Sequence, residues 1–286
     1  MSNTPTSNTQ NMKAALAALL ACASALTLAQ TDDVNRINTA YGNLRQFPGI
    51  DLQVWGTQKI GGQNTDLGAL IEWPWDEANP QPMQKITVRE YRNGGLINKT
   101  VGDGTTLWSL NLLKNEYVAH NYGTYNGAEP DEYRLDLIQH FNALSHVPAN
   151  YAARLLREMY GATDPAFRSW VPGATVTVVN DTGTPKTDPV TNRVYTPVPN
   201  SKDYVMYELS GPVNRSVVFE RTMQTMPDGS QGWCLSDVYV GEASPSTSLD
   251  LDLTTTALTT APSDSDFAFI PPIGAKPIEG SMLNGK

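Results

Sequence analysis

The chain has 286 residues, 40% of them hydrophobic and only 17% charged, and a net charge of −9. That is ample apolar material for a sizeable core, which excludes a disordered body. The acidic balance argues against nucleic acid as a partner and against electrostatic docking on anionic lipid heads, so any lipid contact has to use apolar surface.

The N-terminus reads as an export signal. After the polar run Met1 to Asn11, Met12-Lys13 precedes Ala14 to Ala29, which holds no charge. A single lysine, a short apolar run and the small-residue site Thr27-Leu28-Ala29 fit a cleavable secretory signal, with Met12 as the true start. Residues 1–29 carry one Lys and no acid, so the mature chain has a charge of −10. The alternative for the apolar run is a buried Ala/Leu helix. A rival processing route runs through Leu19-Leu20-Ala21-Cys22, which loosely resembles a lipobox and would anchor an outer-membrane lipoprotein through Cys22. On either route Cys234 loses its only possible intramolecular partner, and the fold is expected to stand without a disulfide.

Asp32 to Phe47 predicts an amphipathic helix with Val34, Ile37, Tyr41 and Leu44 on one face, stopped by Pro48-Gly49. The period then changes to two: Ile50, Leu52 and Val54 alternate with Asp51 and Gln53. Short runs continue at Leu67 to Trp73, Gln84 to Tyr91, Leu96 to Val101, Thr105 to Leu110 and Glu116 to His120. Turns at Gly61-Gly62, Asn93-Gly94-Gly95 and Asp103-Gly104 make this an antiparallel meander. Two helices are expected in mid-chain. One starts at Pro130 with Tyr133, Leu137, Phe141 and Leu144 on a face; the other starts at Pro148 with Tyr151, Leu155 and Met159, ending at Gly161. Strands resume at Ala174 to Val179, Tyr204 to Leu209, Arg215 to Arg221 and Gly232 to Val240. Asn180 to Lys202 and Ala243 to Asp266, rich in polar residues, read as inserted loops, and Phe267 to Lys276 as a short closing strand. Residues 30–286 are thus expected to form a single domain.

Catalytic signatures are absent. The sequence has no G-x-S-x-G elbow, H-E-x-x-H, P-loop or dinucleotide fingerprint, and neither a metal nor a cofactor is expected. The histidines are His120, His140 and His146; the last two are six apart around a helix end and cannot share a face as an i, i+4 metal pair would. Cys234 in Gly232-Trp-Cys-Leu235 reads as a buried thiol rather than a nucleophile. Glu72, Asp76 and Glu77 flank Trp73-Pro74-Trp75, a grouping that could line a sugar subsite, but solvated loop charges explain it better. The acids of the late loop (Asp250, Asp252, Asp264, Asp266) lack calcium-loop spacing.

Two stretches carry a family resemblance. Gly102-Asp-Gly-Thr-Thr-Leu-Trp-Ser-Leu-Asn111, followed by Lys114-Asn-Glu-Tyr117, is similar to an aromatic D-G hairpin of the lipoprotein-localisation-factor superfamily, the LolA/LolB/RseB-like proteins. Phe267-Ala-Phe-Ile-Pro-Pro-Ile-Gly-Ala resembles the closing strand of the same proteins. The resemblance implies a mainly β (α+β) fold: a half-open antiparallel β-barrel with an N-terminal helix and mid-chain helices packed in its concavity. It implies a periplasmic binding or carrier protein whose partner is a lipid or acylated lipoprotein, and no enzyme. The two inserted loops depart from the family's compact form, and no residue here matches its lid-locking arginine. The expected hydrophobic lining is Leu137, Phe141, Leu155 and Met159 on the helices, facing Ile50, Leu52, Val54 and Trp108 on the sheet. An envelope protein-interaction or sensory module on the same fold is the alternative, and an envelope hydrolase using Glu72 or Glu77 a more remote one.

Overall fold

The computed structural model describes residues 32–74, 85–121, 147–161, 171–179 and 183–278. The expected export signal, Cys22, the helix from Pro130 and the segment Trp75–Glu77 lie outside the described residues.

The chain is mainly β. A helix over residues 32–44 (α1) leads into a six-stranded meander: β1 (Gly49–Ile60), β2 (Gln63–Pro74), β3 (Lys85–Arg92), β4 (Gly95–Asp103), β5 (Thr106–Asn111) and β6 (Glu116–Asn121). The hairpins are made by their turn residues. Gly61-Gly62 and Asn93-Gly94 both carry positive φ at each central position, which a two-residue turn between right-twisted strands requires. Asp103 accepts the N–H groups of Thr105 and Thr106 at 2.8 Å each and so shapes the next turn.

After the helix α2 (Val147–Gly161) the chain adds β7 (Thr175–Val179), the two-residue strands β8 (Lys186–Thr187) and β9 (Val194–Tyr195), and a second meander. This comprises β10 (Lys202–Leu209), β11 (Asn214–Thr225), β12 (Gln231–Ala243) and β13 (Thr247–Ala257). A 3-10 turn (Asp264–Phe267) and β14 (Lys276–Pro277) close the described chain. Twelve strands form one mixed, open sheet in the order β14-β6-β5-β4-β3-β2-β1-β13-β12-β11-β10-β7, with β8 and β9 paired separately. Every pairing is antiparallel except β14 with β6.

Three sequence expectations need correction. Ala243 to Asp266 is no loop over most of its length: β13 pairs with β1 along its whole length and also with β12. Its Leu249, Leu251 and Leu253 point into the core while Asp250 and Asp252 point out, so the polar alternation that suggested a loop is the pattern of a half-buried strand. Phe267 to Lys276 is not a strand. Phe267 ends the 3-10 turn buried under β3 and β4, and pairing begins only at Lys276. Within Asn180 to Lys202, the described residues from 183 onward are tied to the sheet. The Arg193 guanidinium meets Asp250 at 2.9 Å and Asp252 at 3.3 Å and lies over the Tyr239 ring, while buried Asp188 accepts from Ser216 Oγ at 2.8 Å.

Both faces of the sheet are consequently covered. On the inner face, the one that carries the helices, Ile37, Ala40, Tyr41 and Leu44 of α1 and Ala152, Leu155, Leu156 and Met159 of α2 share one core with the sheet. On the outer face Tyr195 packs with Val179, Tyr204, Met206 and Val218. The α1 helix is locked by charge. Asp203 on β10 accepts a two-pronged bond from Arg221 of β11 and a third bond from Arg36 of α1 at 2.7 Å, and Arg221 also donates to the Arg36 carbonyl at 3.0 Å. Asp203 and Arg221 are both nearly excluded from solvent, so their attraction is weakly screened. Tyr207 Oη donates to Asp33 at 2.6 Å and Asn43 donates to the Trp233 carbonyl at 2.8 Å, which fixes both ends of the helix.

Removing the central carboxylate would leave two guanidinium groups without their shared partner. Asp203→Ala is expected to lower unfolding free energy by about 3–5 kcal/mol in urea titrations, whereas Asp32→Ala, which frees Arg36 only from an exposed acid, is expected to cost no more than about 1 kcal/mol.

Candidate functional site

Five of the eight expected lining residues come together. Strand alternation turns Ile50, Leu52 and Val54 of β1 to the inner face, and α2 lies across β1 and β2 with Leu155 and Met159 in the same cluster. Cross-strand partners extend the surface: Ile50 faces Trp73, Leu52 faces Ile71 and Val54 faces Ala69, with Ile86 and Val88 beyond on β3. On the other side Leu253, Leu251 and Leu249 of β13 continue it towards Val238 and Val240 of β12. Leu137 and Phe141 lie outside the described residues.

Trp108 does not belong with them. It is in register with Val101 and Ala119 on the outer face, and its ring stacks on Phe269 with centroids 5.4 Å apart and planes 9° from parallel. Leu107 is the β5 residue that enters the inner core. In Thr106-Leu-Trp-Ser-Leu-Asn111 both frames contain large apolar residues, and the C-terminal segment covers the outer one, so alternation could not decide which face was which.

Towards β4 and β5 the inner face becomes polar. Glu90 of β3 pairs with Ala69 on one side and Asn98 on the other; Asn98 pairs with Asn111, and in the next row Thr100 donates to Ser109 at 3.3 Å. Glu90 is only 1% exposed. Its Oε2 accepts from Asn98 Nδ2 at 3.1 Å, while Oε1 is buried with no hydrogen-bond partner. Burial pushes the Glu90 carboxyl up to about 7, against the smaller opposing pull of Asn98. Sequence reading missed this residue, because Val88-Arg-Glu-Tyr-Arg92 shows charge on both faces and nothing in it tells which one is covered.

Other candidates for chemistry are placed elsewhere. Glu72 lies on the outer face with Arg89 at 3.6 Å, away from the helix-covered core. Cys234 is fully buried, its Sγ 3.7 Å from Met226 Sδ, and burial pushes the thiol up to about 11. Among the described residues no group of three or more His, Cys, Asp or Glu side chains could hold a metal ion, and the side chains of His120, His140 and His146 are not among them. No described helix is long and apolar enough to cross a membrane.

Sheet and site together define a mainly β protein with an open mixed sheet and helices over one face. No family model matches the chain, and neither does any curated protein. Among solved structures, LprF from Mycobacterium bovis is 10% identical, with 82% of this chain and 97% of that one covered, at a TM-score of 0.32. MucB, in its complex with MucA(peri), is also 10% identical over 80% and 95% of the two chains, at a TM-score of 0.11. Similarity at these levels carries no argument about function.

Two measurements follow from the buried groups. Folded Glu90 holds its proton up to about 7 and the unfolded residue only to 4.5, so the native state binds more protons between those values and stability falls as pH rises through that window. The fall is expected to reach about 3 kcal/mol by pH 8, and Glu90→Gln should abolish it while matching the parent at pH 4 in paired denaturant titrations. Cys234 should react with a thiol reagent only as fast as the native state opens, so its labelling rate should rise with urea in step with unfolding.

Proposed function

We propose that this is an exported, periplasmic binding or carrier protein for lipid or lipoprotein acyl chains, built as a half-open barrel with its helices in the concavity. The observation that supports it is the apolar seat of α2 on the sheet. The α2 helix meets β1 and β2 through Ala152, Leu155, Leu156 and Met159, while Tyr151 at its start donates to Glu242 of β12 at 3.1 Å. Lifting a helix from such a contact exposes apolar surface on both sides, and an acyl chain offers the same apolar contact in its place. Each methylene so buried contributes about 0.8 kcal/mol, so a long chain needs no polar contact to bind. The resemblance of the Gly102–Asn111 hairpin to the lipoprotein-localisation-factor superfamily agrees with this reading, as does the export signal read from Met12 to Ala29.

A second reading is favoured by one observation. Leu52, Val54, Leu155 and Met159 are all less than 5% exposed and pack against one another, as in a filled core. On that reading the protein is an envelope interaction or sensory module whose loops bind a partner. Quenching separates the two. A brominated fatty acid that enters beneath α2 reaches Trp73, which is buried in the same cluster. The carrier reading expects saturable quenching of tryptophan fluorescence and co-purified lipid in native mass spectra. Absence of both would leave the interaction module.

A further inference from the structure

We propose that Glu90 is a hydrogen-bonding anchor for a hydroxyl group in the uncharged head of an amphiphile whose chain lies along the apolar part of the inner face. This inference rests on the acyl-chain reading and adds the class of head group. A sheet face under helices ordinarily carries apolar side chains throughout, and β1, β2 and, apart from Thr255, β13 follow that rule. Strands β3 to β5 break it with Glu90, Asn98, Thr100, Ser109 and Asn111, while Val88 and Ala69 border the same strip with apolar surface. The strip is therefore amphipathic: greasy towards β1, hydrogen-bonding towards β5.

Within the strip one atom stands out. Asn98 satisfies Oε2 of Glu90, but Oε1 has no partner although the residue is 1% exposed. Leaving a carboxyl oxygen in that state costs free energy that a ligand's polar group could recover. A hydroxyl is the group that suits it. It donates to the ionised carboxylate and accepts from the protonated acid, so it serves Glu90 on either side of neutrality. An anionic head would meet like charge. A cationic head would find one acid and otherwise only the amides and hydroxyls of Asn98, Thr100, Ser109 and Asn111, which bind a polyol better than an ammonium. Arg92, two residues along β3, is exposed at the strand end.

The experiment compares three lipids of equal chain length, monoolein, methyl oleate and oleylamine, by titration of tryptophan fluorescence in the full chain. Monoolein is expected to bind about tenfold more tightly than methyl oleate, the effect of one hydrogen bond to a carboxyl group. Glu90→Leu should erase that preference while leaving methyl oleate affinity within about twofold of the parent, and Glu90→Gln, which keeps a donor and an acceptor, should retain part of it. Equal affinity of the parent for monoolein and methyl oleate, or a preference for oleylamine, overturns the inference and leaves the acyl-chain reading standing. Binding of none of the three overturns both. Should Glu90→Leu fail to fold, the comparison within the parent still decides, as does the carboxyl infrared band: it is expected to shift with monoolein and not with methyl oleate, and a band unmoved by monoolein counts against the anchor.

Discussion

Strand β13 lies between β1 and β12, and without it the chain would hold two separate meanders. Its pairing with β1 runs from Ile50 opposite Ala257 to Ile60 opposite Thr247, which joins β1–β6 to β10–β12 and makes one inner face continuous across the molecule. The closeness of the two strands depends on Gly56, where a Cβ would come within 2.0 Å of the Asp250 carbonyl oxygen. Each helix then has a surface wide enough to pack on: α1 over β10 to β12, α2 over β1 and β2. The contact joins residues some 200 positions apart, so the loop-closure cost falls on folding late and favours local hairpins forming first.

This long-range pairing is also what the sequence conceals. The first meander is legible because its signals are local: Gly61-Gly62, Asn93-Gly94 and Asp103-Gly104 each place a turn, and alternation fills the space between them. The α2 helix is legible for the same reason, from Pro148 to Gly161. Thr247 to Ala257 was hidden because Asp and Thr on the outer face are compatible with a loop, and only Arg193 reaching over from a distant segment gives those acids a structural role. Trp108 lies on the face opposite to the expected one because a sheet covered on both sides removes the polar-outside rule that alternation relies on. Ile50, Leu52 and Val54 escaped that ambiguity, since Asp51 and Gln53 between them mark the wetter side.

The outer face carries a cover of its own. Tyr195, Tyr204, Met206 and Val218 form a second small core under the β8–β9 segment, and Phe267 and Phe269 close the opposite end against β3 to β6. Part of the burial that stabilises the sheet is thus supplied from the outside, where Asp188 and Arg193 hold the cover in register by hydrogen bonds. With both faces contributing, displacing α2 would remove only a fraction of the apolar contact. A sheet with a single core could not lose a covering helix so cheaply.

Glu90 and Asp203 are two carboxylates buried to nearly the same degree on the same face, and the fold treats them differently. Asp203 is matched by Arg221 and Arg36, and no oxygen of it is left over. Glu90 has one amide for two oxygens, and its cross-strand neighbours are uncharged. A leucine at position 90 would complete the apolar face at no such cost, and a cation at position 98 would neutralise the acid as Arg221 does for Asp203. A buried carboxyl with one oxygen left unpartnered departs from the local rules that most of the face obeys. Around it Asn98, Thr100, Ser109 and Asn111 make a neutral hydrogen-bonding surface, which borders the apolar surface at Val88 and Ala69.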